Sequence, residues 1–232
     1  MNSLIDDLKQ KEWLWQGIHS YEFAHTWPTG FTNFDKMLEG GLPINGTIEV
    51  KCTRDGIGEL RMWIPMLTQQ EEGYEQSRLI VFIQPPGQVH AQFLVTEGID
   101  LRQVLIIQPD NDKQALWAAE QCLKSGACRD VFLWCNTLEV SYARRLEVAS
   151  HTGSCRNILF RQDKQTQFSL PVSVSLQIKP TKAGLIVQII KKKGGWDSNP
   201  FRLDLSARWP HLTEISHYRD EHIIPFPVRQ QG

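Results

Sequence analysis

The stretch that most limits what this chain can fold into covers residues 29–61, TGFTNFDKMLEGGLPINGTIEVKCTRDGIGELR. Thr29-Gly30-Phe31, Phe34-Asp35 and Gly40-Gly41-Leu42-Pro43 read as a capped amphipathic turn leading into a glycine hairpin. Thr47-Ile48-Glu49-Val50-Lys51-Cys52 alternates side-chain character as a strand does. Thr53 to Gly58 is a glycine loop, and a helix is predicted from about Glu59 to Glu72, with Leu60, Ile64 and Leu67 on one face and a kink at Pro65. A strand feeding a helix through a tight loop belongs to a parallel α/β sheet.

Strand, glycine loop and helix in that order is the layout of a phosphate-binding loop. A working loop of this kind reads G-x-x-x-x-G-K-[ST]: backbone N–H groups hold the phosphates, the lysine neutralises them, and the hydroxyl ligates magnesium. Here Gly58 is followed by Glu59 and Leu60, so a carboxylate replaces the lysine and the hydroxyl is gone. A carboxylate ~4 Å from a phosphate repels it by roughly 4 kcal/mol at an effective dielectric of about 20. The loop keeps its shape-giving glycines, Gly56 and Gly58, and loses its charge logic. It is expected to be a retired nucleotide site with no cofactor.

Downstream, Leu79 to Gln84 is a continuous apolar run ending in Gln84-Pro85-Pro86-Gly87, typical of a strand buried on both faces. Further strands are predicted at 104–108, 130–135 and 157–160, with helices near 87–97, 112–125 and 138–150 between them. The alternation implies right-handed βαβ units and a mostly parallel sheet with helices on both faces. Beyond Arg161 the pattern changes to an antiparallel extension, 168–205. Ser169 to Ile178 alternates apolar and polar residues, Pro180 to Gly184 turns, and Gly184 to Lys191 and Phe201 to Leu205 return. The expected organisation is an arm (1–28), a core (29–205) and a proline-punctuated tail (206–232). Ile223-Ile224-Pro225-Phe226-Pro227 in that tail reads either as an extended recognition segment or as a strap over the domain.

At 232 residues the chain suits one α/β domain with extensions, and a formal net charge of -1 advertises neither nucleic acid nor membrane binding. The start, MNSLIDDLKQKEW, has no apolar run of signal-peptide length, and no segment nears the ~20 apolar residues of a membrane span. Five cysteines, Cys52, Cys122, Cys128, Cys135 and Cys155, include no C-x-x-C pair. Reduced thiols in a cytoplasm are expected, with no metal site. His19 and His25 have no matching ligands nearby, and His211, His217 and His222 no helix to align them, so none is assigned a metal.

The order Thr-Gly, Asp, Gly-Gly-Leu-Pro, Gly-x-Ile-Glu-Val and loop resembles the RecA recombinase family. So does the run Gln108-Pro109-Asp110, Gln114-Ala115-Leu116, Ser125-Gly126-Ala127 and Asp130-Val131. The resemblance implies a RecA-like core. It also exposes losses: the family's catalytic glutamate falls at Pro86 and its magnesium-associated aspartate at Cys135. With Glu59 these make three missing groups, and a non-hydrolysing core is expected, not an enzyme. The family's two DNA-lining loops are shortened.

Trp13-Leu14-Trp15, the Thr29 to Leu42 block and Asp55-Gly56-Ile57-Gly58-Glu59-Leu60-Arg61 together resemble ImuA, the RecA-like accessory family of bacterial mutagenesis cassettes. This implies an SOS-induced adaptor in translesion DNA synthesis, working with a Y-family polymerase homologue, an error-prone polymerase and the recombinase. Residues 91–161 also resemble SulA, the cell-division inhibitor that binds the tubulin-like division protein, which is the alternative.

Two stretches carry candidate contacts. Trp13 and Trp15 are tryptophans of the kind that anchor interfaces, so the arm either docks on a partner or a second copy, or folds back as a helix on its own core. Lys191, Lys192 and Lys193 followed by Gly194-Gly195-Trp196 make a basic turn with an aromatic tip. It reads either as an ordinary solvated hairpin or as a weak nucleic-acid contact.

Overall fold

The computed structural model describes residues 26–69, 78–163, 169–193 and 197–213. Strands β1 (Thr26–Trp27) and β2 (Leu42–Pro43) form a small antiparallel ribbon around helix α1 (Thr32–Met37). The turn into α1 is capped from inside: the Asp35 carboxylate accepts the Thr29 N–H at 2.7 Å, and Thr29 Oγ1 accepts the Phe31 N–H at 3.2 Å. Only glycine fits at Gly41, where φ is +128° and a Cβ would lie 2.3 Å from the Trp27 carbonyl oxygen.

The other eight strands form one sheet, in order β10-β9-β8-β3-β7-β6-β4-β5. They are β3 (Gly46–Cys52), β4 (Leu79–Ile83), β5 (Val104–Ile107), β6 (Cys128–Trp134), β7 (Arg156–Gln162), β8 (Val174–Thr181), β9 (Gly184–Lys192) and β10 (Phe201–Asp204). From β8 to β5 every pairing is parallel, and β9 and β10 add antiparallel. The fold class is α/β, mostly parallel with an antiparallel extension, as expected. The boundary shifts, however: β8 lies parallel to β3, so the antiparallel part begins only at its hairpin partner β9. Leu170 and Val172 are buried in the connection that brings the chain back alongside β3, not in a strand.

Helices α4 (Asp112–Lys124) and α5 (Val140–Thr152) cover one face, packing on Val81, Ile83, Val131, Leu133 and Leu159. Helix α3 (Ala91–Thr96), α1 and the chain around Trp63 cover the other, where Phe82, Phe132, Phe160 and Trp134 stack across three neighbouring strands. Alternate residues of each apolar run thus feed two cores, which is why the runs are continuous. Glu97 accepts hydrogen bonds from Trp209 Nε1 (2.6 Å) and Arg208 Nε (2.9 Å), holding the start of the tail over α3 beside Phe93. Among the described residues no helix is long and apolar enough to cross a membrane. Trp13, Trp15, Trp196, His217, His222 and residues 223–227 lie outside the described residues.

The predicted helix over 59–72 does not form. Arg61–Trp63 is a 3-10 turn, and α2 is only Ile64–Leu67, with Pro65 in its first turn. Proline has no N–H to donate inside a helix but costs nothing at its start, so Pro65 opens a new short helix instead of kinking a long one.

One buried carboxylate ties these parts together. Asp130 in β6 is 0 % exposed and bonds Arg156 Nε at 2.5 Å and Arg129 Nε at 2.8 Å. Arg129 continues to the carbonyls of Leu67 (2.8 Å) and Gln69 (3.0 Å), and Arg156 sits 5.5 Å from the Trp27 ring centre. Burial alone would raise the Asp130 pKa, but the guanidinium groups of Arg156 and Arg129 outweigh it and hold it below the usual aspartate value. The folded carboxyl therefore binds its proton more weakly than the unfolded one. Its stabilisation is complete above about pH 4 and is lost as the pH falls through the depressed folded value. Asp130→Asn leaves two buried guanidinium groups short of an anion and is expected to cost about 3–5 kcal/mol. Denaturant unfolding at pH 7 measures that loss, and the variant should also lose part of the wild type's acid sensitivity below about pH 4.

Candidate functional site

Strands β4, β6, β7 and β3 are neighbours and parallel, so their carboxyl ends open on one side of the sheet. In open parallel sheets this edge is where ligands sit. A pocket of about 200 Å³ lies there, lined by Asp55, Gln84, Pro85, Pro86, Asp112, Trp134, Asn136 and Phe160. The fold thus brings together the glycine loop after β3, the Pro86 turn after β4 and the end of β6 beside Cys135. Glu59 and Cys135 stand behind this lining.

The loop is closed by its own side chains. Glu59 is 5 % exposed, and its Oε1 accepts the Gly56 N–H at 2.9 Å. An anion therefore already occupies a loop amide of the kind a phosphate would use. Its Oε2 is buried with no hydrogen-bond partner among the described residues. Arg61 folds back over the loop: a Cβ on Gly58, at φ +95°, would come 2.5 Å from Arg61 Nη2. Burial lowers the Arg61 pKa, and the Glu59 charge opposes that. At the end of β3, burial and then the charges of Glu59 and Asp55 push the Cys52 thiol far up.

A phosphate site of this type also draws on a helix N-terminus, whose aligned peptide dipoles amount to about half a positive charge. A three-residue 3-10 turn and a four-residue helix supply little of it. The pocket itself is acidic, with Asp55 and Asp112 in its wall. Gln84 adopts φ +56° and donates from Nε2 to Asp112 Oδ1 at 3.0 Å. Cys135 is buried and donates from Sγ to the Thr137 carbonyl at 3.3 Å. Burial, then the Asp112 charge, pushes its thiol up to about 11. No group of three or more histidine, cysteine or carboxylate residues suited to a metal ion occurs among the described residues.

The basic turn is partly used internally. Lys191 Nζ donates to the Leu170 carbonyl at 2.9 Å, and Lys192 Nζ to the Leu38 carbonyl at 2.9 Å and Glu39 Oε2 at 2.5 Å. Lys193 donates its backbone N–H to Ser173 O at 2.9 Å. The structure does not bring these lysines to the pocket.

Two features were not read from the sequence. Glu49, in the middle of β3, is buried and bonded to Arg161 Nη1 (2.7 Å) and Ser175 Oγ (2.6 Å). A carboxylate between Ile48 and Val50 was the available signal. Trp117 is 64 % exposed on the outer face of α4, and edge strand β5 exposes Leu105 and Ile106. Trp117 could have been placed outside by helical periodicity, since Ala115 and Ala119 mark the inner face.

Gly58 is the position that tests the loop's geometry. Gly58→Ala forces a side chain into a left-handed conformation and against Arg61, and is expected to lose about 1–3 kcal/mol of stability. Urea unfolding checks this. A neutral or stabilised variant, as glycine removal gives at an unstrained site, would contradict the closed-loop geometry.

No family model matches this chain, and no curated protein does. Solved structures do match, 288 chains of them, among them the crystal structure of SulA from Pseudomonas aeruginosa. That likeness has 20 % sequence identity and a TM-score of 0.41, and covers 50 % of this chain and 98 % of SulA. A likeness of that size says nothing about partner or activity.

Proposed function

We propose that this chain is a non-catalytic RecA-like adaptor in SOS-induced mutagenic translesion synthesis, linking a Y-family polymerase homologue, an error-prone polymerase and the recombinase in the cytoplasm. The observation that carries the reading is the Glu59 carboxylate on the Gly56 amide, 2.9 Å apart, in the loop where a nucleotide-hydrolysing relative would place lysine and phosphate. Pro86 and Cys135 at the two acidic positions agree with it, as does the lack of a long helix behind the loop. With nucleotide chemistry gone, what remains is a rigid sheet with surfaces to offer.

The sequence stretch most like the adaptor family, residues 53–65, is the one that builds this closed loop. Partner binding is assigned to Trp13 and Trp15 of the arm, with self-association through the same residues. Direct DNA binding is weak in this reading, since two of the three lysines already hold acceptors of the chain itself.

The experiment is reconstitution with the purified Y-family polymerase homologue, followed by calorimetry or light scattering. A complex is expected that forms without nucleotide and is unchanged by magnesium and ATP. Trp13→Ala and Trp15→Ala, made singly, should weaken it by about 2 kcal/mol, roughly 30-fold, with little change in melting temperature. A complex that requires ATP, or ATP turnover that stops when the 53–59 loop is altered, would overturn the proposal. So would tryptophan variants that unfold yet associate normally per folded molecule.

A further inference from the structure

Three of the five cysteines gather at the amino-terminal end of β6, away from the pocket. Cys122 lies in the last turn of α4 and is partly exposed. Cys128 is the first residue of β6 and is buried, and Cys155 is buried just before β7. Ser125-Gly126-Ala127 turns the chain between the first two, with Gly126 at φ +71°. Ser125 Oγ donates to the Cys122 carbonyl at 2.8 Å, accepts the Ala127 N–H at 3.1 Å and lies 3.7 Å from Cys128 Sγ. Cys122 packs against the same apolar cluster that contains Cys128 and Cys155.

We propose that Cys122 and Cys128 are a modification site, a dithiol that a peroxide-class oxidant converts reversibly into a disulfide across the Ser125 turn. Cys128 is the nucleophile and Cys122 the resolving thiol. A hydrogen bond from Cys122 lowers the Cys128 pKa to about 7; burial opposes it, and Ser125 and the Arg78 charge assist. Sharing that bond, with burial, pushes Cys122 far up, so it keeps its proton. Cys155 does not compete: it is fully buried and donates from Sγ to the Arg156 carbonyl at 3.5 Å.

The Cys128 thiolate attacks one oxygen of hydrogen peroxide, giving a sulfenic acid and hydroxide, which takes a proton to become water. The Cys122 sulfur then displaces the sulfenic hydroxyl, which leaves as water with the Cys122 proton. In sum, two thiols and one peroxide become one disulfide and two waters. Cys122, at the surface, gives the oxidant its way in. The bridge would staple the end of α4 to the start of β6 and leave the pocket end of the sheet untouched.

The test treats the reduced, folded full chain with excess hydrogen peroxide near neutral pH. Thiols are counted before and after, and peptides are mapped without reduction. Free thiols should fall from five to three, the mass should drop by about 2 Da, and one linked species should join the peptides of Cys122 and Cys128. Dithiothreitol should restore all thiols, and the rate should rise with pH through about 7. Cys122→Ser, at a partly exposed site, should abolish the linked peptide while leaving a single oxidisable thiol at Cys128. Five thiols remaining, a link to Cys155, or a link between two chains would each overturn the proposal. So would oxidation of Cys122 in Cys128→Ser at the wild-type rate.

Discussion

The Gly56 N–H in the loop after β3 must be satisfied, and how that is done decides the character of the whole carboxyl edge of the sheet. A buried N–H left without an acceptor costs about 1–3 kcal/mol. In a phosphate-binding loop the acceptor is the ligand. Here it is the carboxylate of Glu59, supplied from within the same loop. Once the chain provides its own anion, a lysine to neutralise a phosphate has no task, and a helix dipole behind the loop is not needed either. The short 3-10 turn and four-residue helix that follow are consistent with that release. Arg61, lying over Gly58, then sits beside the protein's own carboxylate and not beside a ligand.

The rigidity of the scaffold has a separate origin. Its central strands carry few charges, and those charges are placed where they join elements from different parts of the sequence. Asp130 connects β6 to β7, to the end of α2 and to the β1–β2 ribbon through two arginines. Glu49 connects β3 to β7 and β8. Glu147 of α5 accepts the Thr47 N–H at 2.6 Å and the Ser173 hydroxyl at 2.5 Å, fixing where β3 begins and how the chain enters β8. Buried ion pairs add little net stability over apolar packing, but they penalise any register that separates them. An eight-stranded sheet whose strands are all rich in valine, isoleucine and leucine gains from such register marks.

The parallel core was legible in the sequence because its strands are short apolar runs separated by helix-length patterns, as Leu79 to Ile83 and Asp112 to Lys124 illustrate. What misled was local. Leu60, Ile64 and Leu67 have helical spacing, yet Pro65 and the closed loop before it divert that stretch into two short turns. Ser169 to Ile178 has strand periodicity throughout, but its first residues serve a crossover that apolar spacing cannot distinguish from a strand. The degenerate loop was legible as a loss of charge, at Glu59. That Glu59 would turn inward and bond Gly56 was not, because loop closure depends on positive backbone angles at Gly56 and Gly58 that residue identity permits without requiring.

Amide hydrogen exchange at Gly56, followed by NMR in the absence of nucleotide, measures that inward bond most directly. The account predicts a protected amide in the wild-type protein, unchanged by magnesium and ATP, whose protection is lost in Glu59→Ala while the amides of β3 stay protected. An amide that exchanges freely until ATP is added, and only then becomes protected, would contradict it.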